Sequence, residues 1–151
     1  MLLKTVSLFR ALTERTLASI TALAIEESHE RGAFLFEGGD AADYLYVLEH
    51  GRVRLKMGGA GHVALIMCDA GDVVGWSSMA GHATYTASAE CLDSVKVVKF
   101  DRIRLAELLE QDPFSGMRFY RGLTEIIGHR LVASYGATVA VHGERDPKYW
   151  G

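Results

Sequence analysis

Six histidines, at 29, 50, 62, 82, 129 and 142, and two cysteines, Cys68 and Cys91, are the side chains most able to hold a metal. None of the histidines belongs to an HxH, HxxxH or CxxH pair, the short spacings that bring ligands together on one helix or on neighbouring strands. The sequence therefore implies no metal site and no resident cofactor. The cysteines have neither that spacing nor the density of a secreted scaffold and read as buried, reduced thiols. Ser77 and Ser78 lack both a nearby general base and a glycine-flanked elbow, so a hydrolase has no support. What remains is the stretch from Val73 to Glu90, "VVGWSSMAGHATYTASAE". Two glycines and a run of small and hydroxyl side chains there, interrupted by Trp76 and Tyr85, single it out as the loop whose purpose the rest of the sequence must explain.

The remaining composition narrows the class. A chain of 151 residues, 49% hydrophobic and 23% charged, suits one globular domain spanning 1–151. Sixteen Lys+Arg against nineteen Asp+Glu give a net charge of -3 with no basic block, so the footprint of nucleic-acid binding is missing. The N-terminus is apolar enough to suggest a leader, but Arg10, Glu14, Arg15, Glu26 and Glu27 interrupt it, and no 18-residue apolar span occurs. The chain reads as cytoplasmic, uncleaved and not membrane-bound.

Hydrophobic spacing supplies the elements that must position the loop. From Thr13, placed as a cap, Leu17, Ile20 and Leu23 or Ala24 recur at helical spacing. After Glu30 the period becomes two: "AFLFE", "YLYVLE", "RVRLKM" and "HVALIMC" are strands separated by glycine-rich turns, and "TYTASAECL" and "SVKVVKF" follow the loop around an Asp93-Ser94 turn. "RIRLAELLEQD" is a short helix ended by Asp112-Pro113. A long helix then runs from about Pro113 to Tyr135, with Gly136 as its stop, and a tail without period, 136–151, follows. Its apolar stripe is Met117, Tyr120, Leu123, Ile127 and Leu131.

The segment "RGAFLFEGGDAADYLYVLEHGRVRL", with Gly32, Gly39-Asp40, Asp43, Leu45, Tyr46 and Gly51, together with "DAGDVVGW", resembles the cyclic nucleotide-binding domain, the sensor half of Crp/Fnr regulators and of the regulatory subunits of cyclic-nucleotide-dependent kinases. The likeness covers roughly 8–135, the core of the domain. It implies a mainly β, α+β fold: an antiparallel β-roll of the jelly-roll, double-stranded β-helix kind, cupin-like, with an N-terminal helix and a long C-terminal one. It also implies that Val74, Gly75, Trp76, Ser77, Ser78, Met79, Tyr85, Thr86 and Ala87 form the ligand cassette, with His82 in the same loop and Arg130 reaching toward a ligand from the long helix.

In that family a Glu follows the cassette glycine and holds the ribose, and an Arg nine residues later pairs the cyclic phosphate. Here Trp76 and Tyr85 stand at those places. Losing the Arg alone costs about 1.5 to 3 kcal/mol, roughly ten- to a hundredfold in affinity, and the Trp76 indole is expected to fill part of the ribose space. Three readings stay open: a pocket for a different small molecule, cAMP or cGMP held by a remodelled cassette, and a ligand-free interaction module in which Trp76 and Tyr85 fill the pocket. The resemblance further implies a homodimer through Met117, Tyr120, Leu123, Ile127 and Leu131, and signalling to a partner protein. Sixteen residues past Tyr135 are too few for a helix-turn-helix module, so no DNA binding is expected of this sequence by itself.

Overall fold

A computed structural model describes residues 2–59 and 62–142. A 3-10 turn at Leu3–Thr5 precedes α1 (Glu14–Leu23). Eight described strands follow: β1 (Ile25–His29), β2 (Phe34–Phe36), β3 (Tyr44–His50), β4 (Val53–Gly59), β5 (His62–Cys68), β6 (Val73–Val74), β7 (Ala87–Cys91) and β8 (Val95–Asp101). A 3-10 turn at Trp76–Met79 stands between β6 and β7, and α2 (Arg102–Gln111) and α3 (Pro113–His142) close the chain. The strands form two antiparallel four-stranded sheets, ordered β1-β8-β3-β6 and β2-β7-β4-β5. This is the expected β-roll with a helix before it and a long helix after it.

Local chemistry sets the boundaries. Thr13 caps α1 by accepting from the Thr16 N–H at 3.3 Å, and Asp101 caps α2 by accepting from the Ile103 and Arg104 N–H groups at 3.0 Å. Between β3 and β4, Gly51 turns the chain at φ 83°, a conformation that side chains with a Cβ rarely adopt. Three features differ from the sequence reading. Strand β1 was not expected, because "IEESH" is too polar to show an alternation. Strand β6 is only two residues long and shows no period. Helix α3 does not stop at Gly136 but continues to His142, since one glycine costs a helix only about 1 kcal/mol. The rest of the expected tail, 143–151, and the turn residues 60–61 lie outside the described residues.

Two apolar clusters stabilise the roll. The first joins the N-terminal segment and helices to one sheet: Phe9 packs against Phe100 and Phe119, with ring centroids 5.6 and 5.8 Å apart. It begins at Leu3 and Val6, ahead of the expected start of the core. The second lies inside the roll and contains Phe36, Tyr46, Leu48, Val53, Leu55, Val74, Tyr85 and both buried cysteines.

Where α1, α2 and α3 meet, the Asp112 carboxylate accepts from the hydroxyls of Thr13 and Thr16, both at 2.7 Å, and of Ser115 at 2.5 Å. Those bonds favour the ionised form and hold its pKa well below the usual carboxylate range. A lowered pKa adds stability that is complete above the ordinary carboxylate value and is lost as pH falls through the folded one. From about pH 4 downward, Asp112→Asn is therefore expected to lose less stability than the parent chain, while being less stable than it at pH 7. Urea midpoints measured across that range check this, and parallel pH profiles would contradict it.

Candidate functional site

Strand β6 carries the chain into the loop, with Val74 paired to Tyr46 on β3. Gly75 then takes φ 83° and opens the 3-10 turn. A Cβ there would meet the Tyr44 carbonyl oxygen at 3.0 Å, Tyr85 Cε1 at 3.2 Å and Tyr46 Cδ2 at 3.3 Å. Glycine is required both for the turn and for this approach to three tyrosines.

Tyr85 decides what the interior contains. It is 4% exposed and points into the roll, where its ring stacks on Phe36 with centroids 3.8 Å apart and planes 15° from parallel. Its hydroxyl donates to the Tyr44 carbonyl at 2.7 Å and accepts from the Tyr44 N–H at 3.1 Å. Both hydrogen-bonding roles of the phenol are thus used within the protein. Burial raises its pKa, and burial followed by the nearby Tyr85 raises that of Tyr46, so both phenols stay neutral at ordinary pH. A neutral phenol closed in this way cannot balance a phosphate charge.

Trp76 does not share that space. The indole is half-buried against the helix-side cluster, and its ring stands edge-on to His82, with centroids 5.5 Å apart. The indole, expected to fill part of the ribose space, belongs to the helix-side cluster and not to the one inside the roll. Ser77 and Ser78 are buried, and their hydroxyls serve the loop itself. Ser77 Oγ lies 3.1 Å from Thr86 Oγ1, and Ser78 Oγ donates to the Gly75 carbonyl at 2.7 Å. The Ser78 N–H also bonds that carbonyl, at 3.1 Å. Met79 is buried beside α2, His82 is exposed, and Ala87 is half-buried at the start of β7.

Arg130 is placed elsewhere than expected. Its Nη2 donates to the Val73 carbonyl and approaches the Cys68 sulfur at 3.8 Å, so it faces the β5–β6 turn rather than a ligand in the cassette. The α3 stripe also divides. Leu123 is 2% exposed and Ile127 is partly buried, both packed on the helix-side cluster, so neither faces outward. Met117 (54% exposed), Tyr120 and Leu131 do face outward, and Tyr135 stands exposed beyond them. Phe36, absent from the sequence-based site, is the ring on which Tyr85 stacks; no local motif distinguishes it from an ordinary strand aromatic.

Comparison with known proteins agrees with this architecture. A presumed cyclic nucleotide-binding protein from Geobacter metallireducens GS-15 superposes with a TM-score of 0.75 at 27% identity, covering 85% of this chain and 95% of that one. The N-terminal domain of a transcriptional regulator from Streptomyces coelicolor A3(2) gives 0.69 at 24% identity, covering 86% and 94%. The sensor domain of the transcriptional regulator DNR from Pseudomonas aeruginosa gives 0.72 at 18% identity, covering 86% and 89%. No protein of curated function matches the sequence significantly. Two of these neighbours are domains of transcriptional regulators, and no described helix is long and apolar enough to cross a membrane. The family profile of the cyclic nucleotide-binding domain matches residues 26–112, more than half of the sequence, with all of the roll but Ile25 and the whole of α2, and the chain belongs to that family.

Proposed function

We propose that this chain is a non-catalytic, ligand-sensing regulatory domain of the cytoplasm whose cassette does not take cAMP or cGMP in the usual way, and which acts on a partner protein through α3. One observation carries the reading. At the place where the family has its phosphate-pairing Arg, Tyr85 is folded into the roll, stacked on Phe36 and bonded to Tyr44. A cyclic nucleotide would have to displace that ring and would meet no cation where the phosphate needs one. Signals from the loop have a short path outward, because Ser78 and Met79 line a groove of about 300 Å³ with Ile103 and Ala106 of α2 and Tyr120 of α3. Any ligand that shifts α3 must bind one of its positions better than the other. Cell fractionation that recovers the chain with membranes would count against the cytoplasmic assignment.

Thermal unfolding with ~1 mM cAMP or cGMP tests the central claim. A site with Kd near 10 μM would add about 2.7 kcal/mol and raise the midpoint by roughly 5 to 10 °C. No shift is expected for either nucleotide. A shift of that size would restore an ordinary cyclic nucleotide sensor.

The same proposal includes a homodimer. Met117, Tyr120, Leu131 and Tyr135 stand exposed along α3 at helical spacing, with Gly128 between them, where a Cβ would meet nothing within 4 Å. Two such helices could approach closely at the glycine and bury the flanking apolar residues. Sedimentation equilibrium should give a dimer at micromolar concentration, reduced to monomer by Leu131→Asp. A parent chain that stays monomeric refutes it.

A further inference from the structure

A cavity of about 180 Å³ lies between α3 and the β5–β6 turn, apart from the cassette. Its walls include the apolar Ile66, Val73 and Ile126 together with Cys68, Asp72, His129 and Arg130. That volume is well above the ~15 Å³ that one water requires, so it accepts a molecule of several heavy atoms. Arg130 reaches into this region with one arm occupied, Nη2 being held by the Val73 carbonyl and the Cys68 sulfur. Its other nitrogen, Nη1, is buried and has no hydrogen-bond partner among the described residues.

A buried guanidinium nitrogen without a partner is costly, more so than a neutral donor, because the group is charged. Cys68 does not supply the missing counter-charge: burial, the largest influence, pushes its thiol up to about 11 despite the neighbouring Arg130. No carboxylate among the described residues forms an ion pair with Arg130. Asp72 lines the same cavity, but its Oδ2 accepts from the Asp69 N–H at 2.8 Å. Water could satisfy one N–H but brings no charge to the guanidinium, and the Asp72 carboxylate on the same wall forms no ion pair with it. A small oxyanion meets both needs, because an oxygen can accept from the unpaired Nη1 while its charge faces the guanidinium and its carbon side rests on the apolar walls.

We propose that this cavity binds a small oxyanion, of the size and chemistry of a short carboxylate, through Arg130. The site is distinct from the cassette yet joined to it. Val73, whose carbonyl Arg130 holds, lies two residues before Gly75, so an anion that fixes the guanidinium ties α3 to the strand leading into the loop. Asp72 sets the affinity, since its like charge on the wall opposes an incoming anion.

Thermal unfolding of the full chain at pH 7 tests this, with sodium acetate or sodium nitrate replacing sodium chloride at constant ionic strength. We expect a saturable rise in midpoint that Arg130→Gln abolishes and that Asp72→Asn reaches at several-fold lower anion concentration. Asn keeps the oxygen that accepts from Asp69. The absence of a rise, an equal rise in Arg130→Gln as a general salt effect would give, or an unchanged concentration dependence in Asp72→Asn overturns the proposal. Should Arg130→Gln fail to fold, the arginine side-chain 15N signals of the parent chain decide. One arginine resonance moving saturably with acetate supports the site, and no such movement refutes it.

Discussion

Replacing Trp76 by Glu and Tyr85 by Arg together is expected to raise affinity for cAMP by two to four orders of magnitude over the parent chain. The two substitutions restore the groups that the family resemblance assigns to the ribose and the phosphate. Each supplies a charge-assisted hydrogen bond of about 1.5 to 3 kcal/mol, or about 3 to 6 kcal/mol for the pair. The backbone needed to use them is in place, since Gly75 already adopts its left-handed turn beside Tyr44 and Tyr46. Removing Tyr85 also frees the space over Phe36 and releases the Tyr44 carbonyl. Without ligand, the double variant should unfold at a lower temperature than the parent, because the stacked ring and part of the Trp76 packing are gone. Calorimetric titration reads the result, and Tyr85→Arg alone should recover roughly ten- to a hundredfold. If the double variant binds no better than the parent, Tyr85 is not what closes the site.

The largest loss of stability is expected from Gly51→Ala. A Cβ at this position would lie 2.4 Å from the Ser94 carbonyl oxygen and 3.0 Å from Val95 Cγ2. The left-handed backbone by itself costs a residue with a Cβ about 1 to 2 kcal/mol. The overlap adds to that, because the obstructing atom is backbone at the entrance to β8, which pairs on both sides, with β1 and with β3. The carbonyl cannot move away without disturbing the centre of the sheet. A total above about 3 kcal/mol follows, with a fall in midpoint of roughly 10 °C or more. Gly71→Ala is the control. It has the same sign of φ, at 93°, but a Cβ there meets nothing within 4 Å, so only the backbone strain applies. Equal losses for the two variants would show that the approach to Ser94 does not matter.

Much of the architecture was readable from sequence because several signals agreed. The Thr13 cap, the Asp112-Pro113 break and the glycines between apolar runs each mark a local conformation, and together they define a roll flanked by helices. What escaped had physical reasons. Strand β1 satisfies its polar residues sideways rather than by burial: Glu27 bonds Lys99 at 2.6 Å and His29 at 3.0 Å. In α3, apolar residues occupy both the face on the domain and the face away from it, so the periodicity of Met117 to Leu131 could not separate Leu123, packed inside, from Leu131, exposed outside. At the site, the family resemblance put Trp76 and Tyr85 at the places of the two charged anchors, but not where their side chains turn. Tyr85 turns inward because Phe36 and the Tyr44 backbone, 49 and 41 residues earlier, offer it a stack and two hydrogen bonds. Trp76 packs instead on the cluster that joins the helices to one sheet. Both outcomes depend on contacts between segments that no local pattern links.

Strand β1 lies at the rim of its sheet and, among the described strands, pairs with β8 alone. A free rim offers unsatisfied N–H and C=O groups to any other extended chain, and this is how folded proteins begin to polymerise. Here the rim carries adjacent carboxylates, Glu26 and Glu27, and a second copy laid antiparallel against it would bring acid against acid. The opposite rim, β6, is two residues long and gives such a chain little to hold. This sheet is therefore guarded at both ends against growing by strand addition.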